Sequence, residues 1–529
     1  MKKITKYLNI ALLTSLVFSC TDLEIEATDS LISDGFAGVA NVQGEVANLK
    51  NIVAGGQLGN QEGLFALNEV STDEYIVPTR GTDWGDNGRW LSIHRQTWNA
   101  ELSDITTPWR ELNSVTINAT RIISPKSVNT AGGDITEQKA AARFYRAWAM
   151  HWILDMWRQV PYRDVDLPNS AIPEVLTGQA AIDSIVNDLN IAIQDLPDVT
   201  AGDGIALKSN PTKASALHLL AKVHLNKHVY LETAADPADM QVVIDAVDEI
   251  AARGYTLAAS GQFFDIFRPS NDVETIWWSP ADAGSRMWHT LHYNQNSPGN
   301  DGGGWNGFTT LAEFYDLFEG PTDTNFPGDG QEERRGVVHD PSTANAENLG
   351  IGLGFLINQQ YEQDGTPLNA RNNVGGIPLV FSRETEKAEY TSPGDNAQLE
   401  TSGIRMLKYH PNEDGGDRRQ HVVKYRFADA YLMKAEAMFR MGTSPLAMIN
   451  NLRTIRGASA LPAITEDDLL AERGRELYQE SVRRQDLIRF GQYLRAWNLK
   501  DASDETRLIF PIPIADVLAN PNLQQNPGY

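Results

Sequence analysis

Apolar residues recur at helical spacing through much of this chain. The densest stretch is 137–158, "EQKAAARFYRAWAMHWILDMWR", where Phe144, Trp148, Trp152 and Met156 recur every four residues, with Tyr145, Ala149, Ile153 and Trp157 alongside. Two adjacent stripes make a wide apolar face, so the spacing predicts a largely buried helix that Pro161 ends. Its tryptophans are core residues, because aromatic stripes at this period pack inward. Further helices are predicted at 179–196, 211–230, 237–253, 425–440, 444–456 and 465–497. Ala214, Ala221, Ala428, Ala435 and Ala437 are small residues at positions where helices can approach closely. Helices joined by short turns in this way point to tetratricopeptide-like pairs, although no regular repeat of the usual length runs through the chain.

Between about 255 and 415 the pattern changes. "SPGNDGGGWNGF", "EGPTDTNFPGDG" and "YHPNEDGGDRR" are rich in Gly, Pro, Asn and Asp, the residues of turns. This is a loop-rich insertion on a helical base, with short strands at "TIWWS" and "IPLVFS". A second loop-rich stretch spans 71–100.

The first 19 residues read differently again. Lys2, Lys3 and Lys6 precede an apolar run from Leu8 to Phe18, then Ser19 and Cys20, the only cysteine of 529 residues. The run is shorter than the roughly 20 residues a spanning helix needs. A charged start, a short apolar run and a small residue before the break mark a secretory signal. Val17-Phe18-Ser19-Cys20 resembles a bacterial lipobox, which makes Cys20 a lipid attachment point. Each buried methylene contributes about 0.8 kcal/mol, so several acyl chains make a lasting anchor. With Cys20 acylated the mature chain has no thiol left for a disulfide or a cysteine nucleophile. The stretch behind it, with Asp22, Glu24, Glu26 and Asp29, reads as an acidic tether over 20–35 and resembles the surface-export signal of Bacteroidetes lipoproteins.

The formal charge of −24 argues against nucleic acid as a partner. His224 and His228, and His289 and His292, stand at metal-compatible spacings, but neither pair has the glutamate of a metalloprotease motif. "GIGLGF" opens no dinucleotide-binding unit, and there is no Gly-x-Ser-x-Gly. No cofactor is indicated; loop acids such as Asp301 and Asp414 could take calcium, with no loop spacing that requires it. The cluster Arg483, Arg484, Asp486 and Arg489 reads as a structural ion network.

Several motifs together resemble the SusD/RagB family. "ARFYRAWAMHWILDMWRQVPY" is similar to its aromatic-rich signature helix. "ERGRELYQESVRRQDLIRFGQY" is similar to its late helix, with Glu476, Arg484, Asp486 and Arg489 at matching places. "LIFPIPIADVLANPNLQQNPGY" is similar to its terminal elements. The resemblance implies an all-α fold: tetratricopeptide-like helix pairs forming a superhelical base (about 36–254 and 416–529), a loop-rich ligand-binding insertion (about 255–415) and a few short strands. It also implies a non-catalytic, outer-membrane lipoprotein facing the cell exterior. Such a protein captures oligosaccharide or polysaccharide and passes it to a SusC-like TonB-dependent transporter.

Sugars offer hydroxyls to polar side chains and C–H faces to aromatic rings, so a glycan site needs exposed aromatics among polar loops. Trp84 and Trp90 in "GTDWGDNGRW", Trp288 and Tyr293 in "GSRMWHTLHYNQ", and Trp305 in "GGGWNG" are the candidates. Asp73 and Arg80 frame the first loop, as glycan contacts or as an ion pair. Tryptophan platforms without a basic cluster favour a neutral glycan. Two other classes stay open: a helical peptide- or protein-binding scaffold, which would bind peptides but no glycan, and a glycoside hydrolase, which would depolymerise one.

Overall fold

The computed structural model describes residues 38–80, 83–130, 132–165, 167, 171–295, 303–370, 377–389, 400–411 and 421–529. The leader, Cys20 and the acidic tether lie outside the described residues, as do Asp301 and Asp414.

Thirteen helices of six residues or more occur among the described residues and define the base. They are α1 Val42–Ala54, α2 Gly63–Glu69, α3 Arg89–His94, α4 Ser103–Ile123, α5 Thr136–Trp157, α6 Gly178–Asp195, α7 Lys213–Tyr230, α8 Pro237–Ala252, α9 Phe427–Arg440, α10 Leu446–Ile455, α11 Glu466–Leu477, α12 Arg483–Arg489 and α13 Ile514–Ala519. Local chemistry sets several of the starts. Thr212 and Ser215 form a reciprocal capping box on α7, and Thr465 and Asp468 form another on α11. Asp236 caps α8 with Pro237 in its first turn. From α4 to α9 each helix packs on the next, the arrangement expected of helical repeats. The fold is mostly helical with short strands, as the periodicity predicts.

The helix α5 is buried on nearly every side, and Trp148, Trp152 and Trp157 are core. It ends differently from the expectation. Arg158 takes a left-handed conformation (φ 63°), and Pro161 stands four residues past the helix end, inside a strand. The chain then continues into that strand, the second of eleven short ones among the described residues: β1 Tyr75–Ile76, β2 Gln159–Tyr162, β3 Glu174–Thr177, β4 Thr275–Ser279, β5 Thr309–Thr310, β6 Gly336–Val337, β7 Leu353–Leu356, β8 Asn358–Gln359, β9 Val380–Phe381, β10 Arg405–Leu407 and β11 Val422–Arg426. Pro161 pairs across to Val175 of β3. The C-terminal tail closes over this end of α5: the Asn526 side-chain amide donates to the carbonyls of Trp157 (3.1 Å) and Phe510 (2.7 Å).

The predicted helix over 465–497 is two helices. Between them Gln479 and Ser481 both have φ of 62°, and their backbone N–H groups donate to the buried carboxylates of Glu74 and Glu69 instead of continuing a helix. Tertiary partners override local preference here. The start predicted at 425 also shifts, because residues 425 and 426 belong to β11.

Between β4 and β11 no helix among the described residues exceeds five residues. Two antiparallel pairings stitch this region to the base. β11 pairs with β4, and β1 pairs with β5 through Tyr75↔Thr310 and Ile76↔Thr309. Trp277 of β4 meets Phe144 of α5 edge-on, with ring centres 5.1 Å apart. Below the loops lies a buried ion network. Arg426 bonds Glu274, Glu476 and Glu480; Arg456 bonds Glu274 and Glu476; Arg334 bonds Glu332, Glu472 and Glu476. Arg483, Arg484 and Arg489 are buried in pairs with Asp73, Asp155 and Glu436, and Asp486 pairs with Arg473 and Arg489, the structural roles read from sequence. No helix among the described residues is long and apolar enough to cross a membrane.

Candidate functional site

The loop before α3 and the loop before β5 meet to form a cleft of about 620 Å³, lined by Glu62, Asp83, Trp84, Asp86, His289, Tyr293, Gly304 and Trp305. The first loop is tightly coiled: Trp84, Asp86 and Asn87 all have positive φ (60°, 38° and 54°), ahead of Gly88. Such backbone stands about 1–3 kcal/mol above relaxed geometry per residue and persists where the surroundings fix it. Here they do. The Trp84 indole N–H donates to the Trp305 carbonyl at 2.6 Å, and the Trp84 ring packs on His289 and Phe308 with centres 5.2 and 5.8 Å apart. The Trp305 N–H in turn donates to the Trp288 carbonyl at 2.6 Å.

Trp305 is 60 % exposed, the most open aromatic among the described tryptophans, and its ring stands 5.1 Å from that of His289. Trp84 is half-buried, as is Tyr293, whose hydroxyl donates to Asp83 at 2.6 Å. These three sequence candidates come together in one cleft.

The other four do not reach it. Trp90 is 1 % exposed: it packs behind the cleft against Phe308 and Trp84, and its N–H donates to Asp86 at 2.7 Å. Trp288 is 8 % exposed, in the short helix Gly284–Trp288. Both are loop anchors rather than platform residues, because the loops close over their faces. Arg80 is buried, and its guanidinium donates to the carbonyls of Asn306 (3.1 Å), Ser402 (2.9 Å) and Gly307 (3.3 Å), so it holds the loop that carries Trp305. Asp73 is buried in ion pairs with Arg483 and Arg495, both at 2.7 Å, far along the chain from Arg80. Asp73 thus sits in a structural ion pair, one of the two alternatives read from the sequence, with arginines more than four hundred residues away as its partners.

Four polar cleft residues, Glu62, Asp83, Asp86 and His289, lie outside the ligand contacts that the sequence predicts. Asp83 and Asp86 flank Trp84 within "GTDWGDNGRW", where a carboxylate beside an exposed ring is the signal. His289 follows Trp288 but is read there only as half of a metal-spaced pair. Glu62 gives no local signal, since it is brought in by the end of a separate turn. The histidine pairs turn to other partners: His292 meets Glu400 at 2.9 Å and His224 meets Asp239 at 2.8 Å. Burial pushes the His289 imidazole down to about 4, so it is neutral at physiological pH. The cleft therefore offers aromatic faces, hydroxyl-accepting carboxylates and no positive charge among its lining residues.

A helical-repeat base that presents an aromatic cleft on its loops is a binding architecture. Residues 273–505 match the model of the SusD family. The chain is similar to the starch-binding protein SusD of Bacteroides thetaiotaomicron, 32% identical over 146 residues, 24% of this chain and 26% of that protein. A SusD-like protein of Formosa agariphila is 24% identical over 419 residues, 74% of each chain. Among solved structures, a laminarin-binding SusD-like protein superposes with a TM-score of 0.64 at 20% identity, covering 92% of this chain and 99% of that one. The surface glycan-binding protein A of Bacteroides uniformis gives 0.65 at 17% identity, covering 92% and 98%. At these identities the structures establish the fold. By their names, the first of these relatives binds starch and the two structural neighbours bind laminarin and surface glycan.

Proposed function

We propose that this chain is a non-catalytic binding protein, lipid-anchored through Cys20 in the outer membrane and facing the cell exterior. It captures a neutral oligosaccharide or polysaccharide in the Trp84–Tyr293–Trp305 cleft and delivers it to a SusC-like TonB-dependent transporter. The observation that carries the binding reading is Trp305, an indole 60 % exposed beside a polar cleft. A large ring left open to water is costly unless something covers it, and the C–H face of a sugar does so without needing charge. Asp83, Asp86 and Glu62 accept hydroxyl hydrogens around the ring. The cleft is within the roughly 300–1,000 Å³ range of small-ligand sites. Capture at the surface has use only with an import route, which is the role of the transporter. Native affinity gels loaded with a panel of soluble polysaccharides, run with the chain lacking residues 1–20 and with its Trp305→Ala variant, test the site. Retardation of the parent but not the variant is expected. Equal retardation of both removes Trp305 from the site, and no retardation on any polysaccharide overturns glycan binding.

A further inference from the structure

A small cavity of about 30 Å³ lies where the loop-rich region returns to the helical base. Its walls include Phe65 of α2, Trp148 of α5 and Val423 of β11. Three cations line it among the described residues, Lys222, Arg286 and Lys424, against one carboxylate, Glu480. Glu480 is already committed, to Lys408 at 2.5 Å and to Arg426 at 2.8 Å. Lys222 stands 3.5 Å from Asp429, which Arg473 also holds at 2.9 Å. The other two cations make no ion pair among the described residues. Lys424 donates to the Leu58 carbonyl at 3.1 Å. Arg286 is 5 % exposed; it donates to the Gln479 carbonyl at 3.1 Å and lies over the Phe65 ring at 4.5 Å. Its Nε has no hydrogen-bond partner.

The acids whose charge reaches Arg286 are Glu69 and Glu480. Burial and the neighbouring Glu74 push the Glu69 carboxyl well above the usual range, so it supplies little negative charge. Burial and the charge of Arg286 in turn pull Lys424 down to about 7. Buried cations without a paired anion are costly, and an anion seated beside them removes that penalty. The volume decides which anion fits. It suffices for a single ion or one or two waters, and not for a tetrahedral oxyanion. Leu58, Leu64, Phe65 and Val423 make the remaining wall mostly apolar, which suits a weakly hydrated spherical ion.

We propose that this cavity binds one small monovalent anion, a halide such as chloride, held by Arg286 and Lys424. The hydroxyl of Ser481, which also lines the cavity, is a further donor. The ion fastens three parts of the fold: the loop-rich region at Arg286, its return at Lys424, and the break between α11 and α12 at Ser481. Its effect is on stability and is independent of what the aromatic cleft binds.

Crystals of the chain lacking residues 1–20 are grown with sodium bromide in place of chloride, and the anomalous signal of bromine is mapped. A peak is expected in the cavity beside Arg286 and Lys424. Melting temperature is also read at constant ionic strength as sodium gluconate, whose anion is too large to enter, is exchanged for sodium chloride. A rise of about 1–2 °C that saturates is expected. Lys424→Met keeps the length of the side chain and removes its charge, so the peak and the chloride dependence both go while helix content, read by circular dichroism, stays. Ser481→Ala, a smaller change, raises the half-saturating chloride concentration about threefold or more. No bromine peak in the cavity of the parent overturns the proposal, whatever the variants do. A peak without chloride-dependent melting marks an adventitious ion only and overturns it too. So does a chloride dependence that persists unchanged in every variant that folds.

Discussion

Gly307 has no side chain, and the indole of Trp84 fills the space it leaves: a Cβ there would stand 2.5 Å from the ring. That one absence lets two loops more than two hundred residues apart in sequence share a cleft wall. Gly307→Ala therefore pushes Trp84 out of place, and glycan retention falls while helix content, read by circular dichroism, is unchanged. Trp305→Ala and Trp90→Ala separate binding from anchoring. The first removes the open ring, so binding drops below detection with the melting temperature unmoved. The second opens a cavity behind the cleft and lowers stability by about 3–5 kcal/mol in urea unfolding, the range for a buried aromatic truncation. The sequence distinguishes loop tryptophans from helical ones. It does not distinguish Trp305 from Trp90, since both stand among glycine and asparagine and only the closure of the loops decides which faces are covered.

The elements are held by charge as much as by apolar packing. Glu476 of α11 is buried, with Arg334, Arg426 and Arg456 around it, so it joins the helix to β11 and to the loop-rich region. Glu476→Gln leaves three guanidiniums short of a buried anion, and a loss of about 3–5 kcal/mol is expected, measured by denaturant unfolding. Neighbouring carboxylates make the fold acid-sensitive. Burial alone would raise the carboxyl of Glu472, but Arg334 and Arg475 outweigh it and hold it at about 2; Arg489 and Arg440 do the same for Glu436. Their folded pKa values lie below the roughly 4.3 of an unfolded glutamate, so their stabilisation is full above about pH 5 and is lost as pH falls toward 2. Melting temperature recorded from pH 7 down to 2 should fall steeply across that window, and one that stays flat contradicts the network. The amphipathic helices α5 to α11 were legible because apolar stripes and caps act locally. α4 was not, because Pro108 and the polar and β-branched run Asn113–Asn118 in its middle mask a buried face. The break between α11 and α12 was not either, because its cause is Glu69 and Glu74, some four hundred residues away.

At the scale of the whole molecule, the anchor and the transporter are the open tests. Cys20→Ala should move the protein from the membrane fraction to the soluble one, and retention after leader cleavage would defeat the lipoprotein reading. A detergent pull-down from the native cell should bring a TonB-dependent barrel, and its repeated absence counts against delivery. One further property follows from the β4–β11 ladder. Ser279 and Val422 are direct partners, so the chain leaves the helical base and re-enters it at adjoining points. The 142 residues from 280 to 421 thus hang as one closed excursion whose two ends stay together whatever its length. Lengthening such a loop twofold adds only about 0.6 kcal/mol of closure entropy. Ligand-reading loops can therefore be lengthened, trimmed or traded between relatives without moving the scaffold. One body can in this way be refitted for one sugar after another.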